Sequence, residues 1–388
     1  MNVFPFLLVF ALLFGCTTSP TTAPTAPPLP SSPTLVPASP ASAGAAFGLW
    51  TSSLDLEHLT YLRLFDREHG WALTTDSIYH LEGARWQNVT PPSMNVAGYA
   101  LSFYFLDAQN AWILHPNESG DPSLQGIFHR TGDGGKNWET FSVPFGAADL
   151  TFLNANDGWA MVSLAGGAGS SSIAIYQTRD AGRSWELRFV NDPSIPNSRQ
   201  DIPLTGMKSG LAARDLQTAW VVGTTYAPLT PYLYITRDGG QSWRLQHLPL
   251  PALEPEALLS FHSPIVLSPQ ELLLPVEIIN QSMRTAIYRS HDGGESWEPN
   301  PVLIEGLGRF QALSSQEWIF WNGSTLFYTS NGGQNWEIRV PNHAFGDAFA
   351  GLQFLNPQEG FLWTINGEKR AVLYYTSDGG KTWTPLNP

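Results

Sequence analysis

From Leu56 onward the chain alternates short apolar runs with turns rich in Gly, Asp, Asn and Ser. Runs such as Ala111-Trp112-Ile113 and Ala286-Ile287-Tyr288 are bounded closely by turn residues and are rich in aromatic and β-branched side chains, which predicts strands. No long stretch carries apolar residues at helical spacing. Two phrases recur along this pattern. The first places an aromatic or apolar pair before a tight turn and a second apolar run: Phe65-Asp66 then Gly70-Trp71-Ala72, Phe105-Leu106-Asp107 then Ala111-Trp112-Ile113, and Phe152-Leu153 then Gly158-Trp159-Ala160. The second reads Ser/Thr-x-Asp-x-Gly-x-x-Trp and closes each unit. Its Trp residues fall at Trp138, Trp185, Trp243, Trp297, Trp336 and Trp383, with a worn copy ending at Trp86. Each unit thus reads strand, tight turn, strand, loop, strand, turn, strand. Spacings of 39 to 58 residues between these Trp residues predict an all-β, seven-bladed β-propeller of four-stranded antiparallel blades.

The chemistry of the second phrase is local. Gly at its fourth or fifth position supplies the positive φ of a tight hairpin. The Asp side chain (Asp133, Asp180, Asp238, Asp292 and Asp378) can accept backbone N–H groups of the turn. Trp opens the outgoing strand, and burying its ring contributes roughly 4–5 kcal/mol at most, from about 200 Å² at about 25 cal/mol per Å². The alternative is that each Asp ligates calcium or acts as a catalytic acid. Asn331 stands in the Asp position of the sixth copy, and one carboxylate per hairpin spread around a ring cannot converge on one substrate. A turn clasp is the expected role, and no residue is nominated as catalytic.

Composition changes the picture at the N-terminus. Residues 1–54 contain no Asp, Glu, Lys or Arg, and Val3 to Gly15 is an apolar run ending in Leu13-Phe14-Gly15-Cys16. That run is too short to span a bilayer and suits a signal segment. Residues 1–16 are therefore expected to be a lipoprotein signal with Cys16 as the lipidated residue, although the first residues lack Lys or Arg and Phe14 is bulky. The alternative is an ordinary signal of a secreted protein. Residues 17–45, rich in Pro, Thr, Ser and Ala, are expected to form a disordered tether reaching roughly 90 Å at about 3.1 Å per residue. Residues 46–388 are left for the propeller, with 47–57 a candidate edge strand at ring closure. Cys16 is the only cysteine, so an intrachain disulfide framework is excluded.

Function is sought where the chain spends length. The two tight turns of each unit share one end. Longer segments such as Leu164 to Ser172, Thr224 to Pro231, Asn191 to Gly210 and Pro249 to Pro264 belong to the opposite, loop end, where a protein or glycan partner is expected. The chain carries 20 Lys+Arg against 33 Asp+Glu, which argues against nucleic acid. Residues 179–244 are the relatively basic sector, and Arg188, Arg199, Lys208 and Arg214 are its candidate partner-binding residues. The flanking arginines of the turns read equally well as solvated residues of the compact end. Nine His are scattered without ligand spacing, so neither a metal nor a cofactor is expected. A monomer is expected, held outside the cytoplasm at the membrane by its lipid.

The second phrase resembles the Asp-box, or bacterial neuraminidase repeat. Three families carry such repeats. Sialidases add a Phe/Tyr-Arg-Ile-Pro phrase, of which Tyr61-Leu62-Arg63-Leu64 is only a faint echo. Xyloglucan-type hydrolases pair two propellers, and this chain holds one. The chain is most similar to the photosystem II stability and assembly factors, over nearly all of 46–388. That resemblance implies a lipid-anchored, non-enzymatic binding propeller with an Arg-rich patch for a protein partner. A sialidase-like or other glycan-acting hydrolase is the alternative.

Overall fold

The computed structural model describes residues 54–386 apart from 84, 93, 95–100 and 117–123. Cys16, the tether and residues 47–53 of the candidate edge strand lie outside the described residues. Strands β1–β4 (Leu59–Leu64, His69–Thr74, Ile78–Glu82, Arg85–Asn88) form the first four-stranded antiparallel sheet, each strand paired with the next. Strands β5–β8 (Ser102–Phe105, Ala111–Pro116, Gly126–Thr131, Glu139–Val143) form the second, and β9–β12 (Asp149–Phe152, Gly158–Gly167, Ser170–Thr178, Glu186–Val190) the third.

The next two segments do not form separate blades. They comprise β13–β16 (Met207–Ala213, Ala219–Thr224, Leu233–Thr236, Arg244–Leu245) and β17–β22 (Leu258–Phe261, Ile265–Val266, Leu272–Ile279, Arg284–Ser290, Glu298–Pro299, Ile304–Glu305). Together they make one ten-stranded sheet, because Thr224 of β14 pairs with Ser260 of β17. Two further four-stranded sheets follow: β23–β26 (Arg309–Ala312, Trp318–Trp321, Leu326–Thr329, Glu337–Arg339) and β27–β30 (Phe349–Phe354, Gly360–Ile365, Ala371–Thr376, Thr384–Pro385).

The expectation of seven four-stranded blades is therefore corrected. The all-β propeller has five four-stranded blades and one ten-stranded sheet. Proline placement accounts for much of the irregularity. Pro264 offers no N–H to a ladder, and the inner strand splits around it into β17 and β18, both paired to β19. Pro301 sits in the matching gap of the outer strand, which splits into β21 and β22, both paired to β20. At the seam the Thr224 hydroxyl donates to Leu259 O at 3.0 Å.

Neighbouring sheets face one another through apolar side chains. Trp71, Trp112, Trp159, Trp220 and Trp318, all from the first phrase, are fully buried. Trp112 stacks on Phe152 of the next blade, centroids 3.7 Å apart. The last blade meets the first: Leu62 and Leu64 share a core cluster with Phe361 and Leu373. The Gln353 amide accepts from Leu64 N–H at 2.8 Å and donates to Leu64 O. Before β1 the chain forms a short 3-10 turn, Leu56–His58, with Leu54 and Leu56 buried in that same cluster.

Candidate functional site

The turn that ends each unit is built alike in every complete copy. In the copy at 178–185, the Thr178 hydroxyl donates to Asp180 Oδ1 at 2.9 Å and accepts the Gly182 N–H at 2.9 Å. Asp180 Oδ1 also accepts the Ser184 N–H, and Oδ2 the Ser184 hydroxyl. Asp133, Asp238, Asp292 and Asp378 repeat the arrangement, and Asn331 Oδ1 accepts from Thr329 and Asn335 N–H in the same way. Two consecutive positive-φ residues make the turn, for example Gly239 at 70° and Gly240 at 83°, a conformation that favours glycine. Among the closing indoles, Trp243, Trp297 and Trp383 are buried, while Trp138, Trp185 and Trp336 are half-buried.

These turns are stitched to their surroundings in two ways that sequence reading missed. The backbone N–H at the first glycine position donates to the inner-hairpin turn of its own segment: Gly134 to Gln109 O, Gly239 to Gln217 O, Gly293 to Gln270 O, Gly332 to Gln316 O and Gly379 to Gln358 O. The two tight turns therefore share one end of the molecule. Across segments, the residue three after the closing Trp caps a glycine carbonyl of the following turn. Arg188 donates to Gly239 O, Gln246 to Gly294 O, Asn300 to Gly332 O and Arg339 to Gly379 O. The signal was a side-chain N–H donor recurring at a fixed offset from Trp.

That pattern places the basic residues. Arg188 and Arg199 both reach the turn at 236–243, Arg199 through Gly240 O. Arg214 reaches Gly293 O and its neighbours Asp215 and Thr218. These three guanidiniums lie at the compact end, committed to internal partners. Lys208 is buried elsewhere. Its ammonium donates to Ser171 O at 2.7 Å, Leu204 O at 2.9 Å and Gly206 O at 3.2 Å, and also reaches the carbonyls of Pro203 and Thr205. Burial pushes it down to about 8. The cage it closes fixes the segment leading into β13.

Concave space lies instead along the inner strands of the ten-stranded sheet and the next blade. A cleft of about 390 Å³ opens where β17 and β18 part, lined by Ser209, His262, Ser263, Thr285 and Arg309. A second of about 480 Å³ adjoins it through His262, Gly308 and Arg309 and runs on to Glu277, Trp321, Asn322 and Phe349. His262 and Ser263 occupy the gap between β17 and β18; both line the first cleft, and His262 lines the second as well. His262 Nε2 lies 3.1 Å from Glu277 Oε1. Arg309 is exposed at the start of β23 and makes no ion pair among the described residues. The groove thus offers a free guanidinium, an imidazole–carboxylate pair, hydroxyls and an apolar floor of Trp321 and Phe349. Among the described residues no group of three or more His, Cys, Asp or Glu side chains is placed to hold a metal ion.

Fold and turns define the class: an all-β propeller pinned by Asp-box turns. Segments 288–299 and 374–385 match the BNR/Asp-box repeat. No curated protein sequence matches the chain. Among solved structures, it is similar to YCF48 bound to a D1 peptide, with 17% identity, a TM-score of 0.53, and coverage of 84% of this chain and 94% of that one. YCF48 from Cyanidioschyzon merolae matches at 14% identity and a TM-score of 0.50, again over 84% and 94%. The extracellular domain of the putative hybrid two-component system BT4673 from B. thetaiotaomicron matches at 9% identity and a TM-score of 0.50, over 82% of this chain and 38% of that one. At these identities the likeness is one of fold.

Proposed function

We propose that this protein is a non-enzymatic binding propeller that captures a segment of a protein partner in the groove along β17, β18 and β23. The observation that carries the reading is Arg309, a guanidinium that forms no ion pair among the described residues and lines both adjoining clefts, beside Trp321 and Phe349. A cation beside an apolar floor suits an extended peptide with an acidic side chain or terminus. The fold-level likeness to YCF48, a propeller whose structure holds a D1 peptide, supports a protein over a glycan as partner. Cys16 belongs to the same proposal: lipidated there, the propeller would stand outside the cytoplasm on its tether.

Crosslinking in the native host, with Arg309→Glu as the comparison, tests the reading. A partner lost with Arg309→Glu and kept with Arg188→Gln supports it, and an unchanged partner set rejects it. Labelled palmitate incorporated by the wild type and lost in Cys16→Ser would place the lipid. The rival reading is a glycan-acting hydrolase, which requires two opposed carboxylates or an arginine cluster with a tyrosine in the funnel. Turnover of fluorogenic sialosides or glucans, abolished by Asp149→Asn or Glu277→Gln, would establish that rival instead.

A further inference from the structure

One wall of the groove is a face of the ten-stranded sheet. Ser260 of β17 pairs with Glu277 of β19, and Glu277 pairs in turn with Thr285 of β20, so these three side chains share that face. His262 follows Ser260 by two residues and is still held to β19, its N–H donating to Pro275 O at 3.1 Å. Its ring therefore joins the same face, and Nε2 lies 3.1 Å from Glu277 Oε1. The start of β23 supplies Arg309, which lines both clefts with His262. The segment leading into β23 is tied to the sheet: the Thr285 hydroxyl donates to Gly306 O at 2.8 Å, and the Gly306 N–H to Met283 O at 2.9 Å. The His262 side chain is 45% exposed and that of Glu277 only 17%, so the imidazole is the more accessible of the two.

We propose that His262 is a proton-dependent recognition residue, through which the groove takes an acidic segment of its partner more tightly in mild acid; this rests on the reading of the groove given above. Among the residues lining the two clefts, the ionisable side chains are His262, Glu277 and Arg309. With His262 neutral, Glu277 cancels the charge of Arg309 and opposes an acidic guest. A protonated His262 offsets Glu277 and leaves the groove one net positive charge beside Trp321 and Phe349. Histidine is the side chain that ordinarily changes charge between about pH 5 and 8. A guest carboxylate, which ordinarily titrates near about pH 4, keeps its charge across that range. The charged groups on the flanking strands are engaged elsewhere. Arg284 of β20 pairs with Glu254 at 3.0 Å and stands opposite Glu305 of β22, and Lys208 of β13 is turned into its carbonyl cage.

A phage-displayed library of random short peptides, panned at pH 5.5 on the wild type and counter-selected on Arg309→Glu, supplies the probes. Selected peptides free of histidine are then titrated by calorimetry at pH 5.5 and pH 7.5. They are expected to carry Asp or Glu next to an aromatic or aliphatic residue, and to bind about threefold to tenfold tighter at pH 5.5. His262→Gln should bring the two affinities together, and replacing the acidic residue of the peptide by its amide should do the same with the wild type. Glu277→Gln should tighten binding at pH 7.5, and it reports even if His262→Gln fails to fold. Peptides selected through Arg309 that bind equally at both pH values, or whose pH dependence survives His262→Gln, would overturn the role of His262 and leave the groove standing. If no peptide distinguishes the wild type from Arg309→Glu, the groove itself is rejected and the proton-dependent role falls with it.

Discussion

Partial burial raises the carboxyl of Asp292, but hydrogen bonds from the Ser296 hydroxyl, the Ser296 N–H and the Ser290 hydroxyl outweigh it and hold the group at about 2, below its ordinary 3.8. Asp133, Asp180, Asp238 and Asp378 are lowered by the same balance. A carboxyl depressed in the folded state contributes stability that is complete above the unfolded value and is lost as pH falls through the folded one. The turns should therefore loosen together between about pH 4 and pH 2. Asn331 keeps the same Oδ1 bonds without a charge, so Asp292→Asn is expected to cost under about 1 kcal/mol at neutral pH and to flatten the acid decline. Urea unfolding at pH 7, 4 and 2 measures both slopes. Asp180→Ala removes the acceptor altogether and should cost about 1–2 kcal/mol by the same measurement.

At the scale of strands and turns, the repeated Asp-box and the Gly-Trp-Ala phrase were legible because each is a local device: neighbours in sequence make every bond that defines it. The cap from the residue three after Trp was legible only in principle, since Arg188, Gln246, Asn300 and Arg339 share a polar N–H donor rather than identity or length. The seam between Thr224 and Ser260 was not legible. One pairing between residues on either side of a long connector leaves no periodic trace, and Pro264 alone does not say which neighbour a broken strand will join. The groove was hidden for the same reason, as His262 and Arg309 belong to no motif. Its wall can be tested through glycine. A Cβ at Gly308 would lie 1.9 Å from Trp321 O, whereas one at Gly367 would meet nothing within 4 Å. Gly308→Ala should destabilise by about 2–3 kcal/mol, because backbone cannot move aside cheaply. Gly367→Ala should stay within about 0.5 kcal/mol. Thermal melts of the two variants side by side give the comparison.

For the whole molecule, the described residues join the last blade to the first through side chains. The Gln353 amide satisfies both backbone groups of Leu64, and Gln311 does the same for Phe354 one joint earlier. Glu359, nearly buried, receives Arg67 from the first blade and the Tyr375 hydroxyl from its own. Gln353→Ala would strand a buried N–H and a buried carbonyl, at about 2–3 kcal/mol. If closure is cooperative, unfolding stays a single transition at lower temperature, and two separated transitions would show that the first blade detaches alone.

The fused sheet makes this ring uneven in stiffness. On one side of the groove, strand pairing continues from β16 through β14 and β17 to β21, crossing between the two segments at the Thr224–Ser260 pair. On the other, the β23–β26 blade is held by contacts such as Asn300 on Gly332 O. A guest wedged between them would push on a rigid jamb and a yielding door, so slowed amide exchange on capture should concentrate in β23 and β24 and leave the seam at Thr224 untouched.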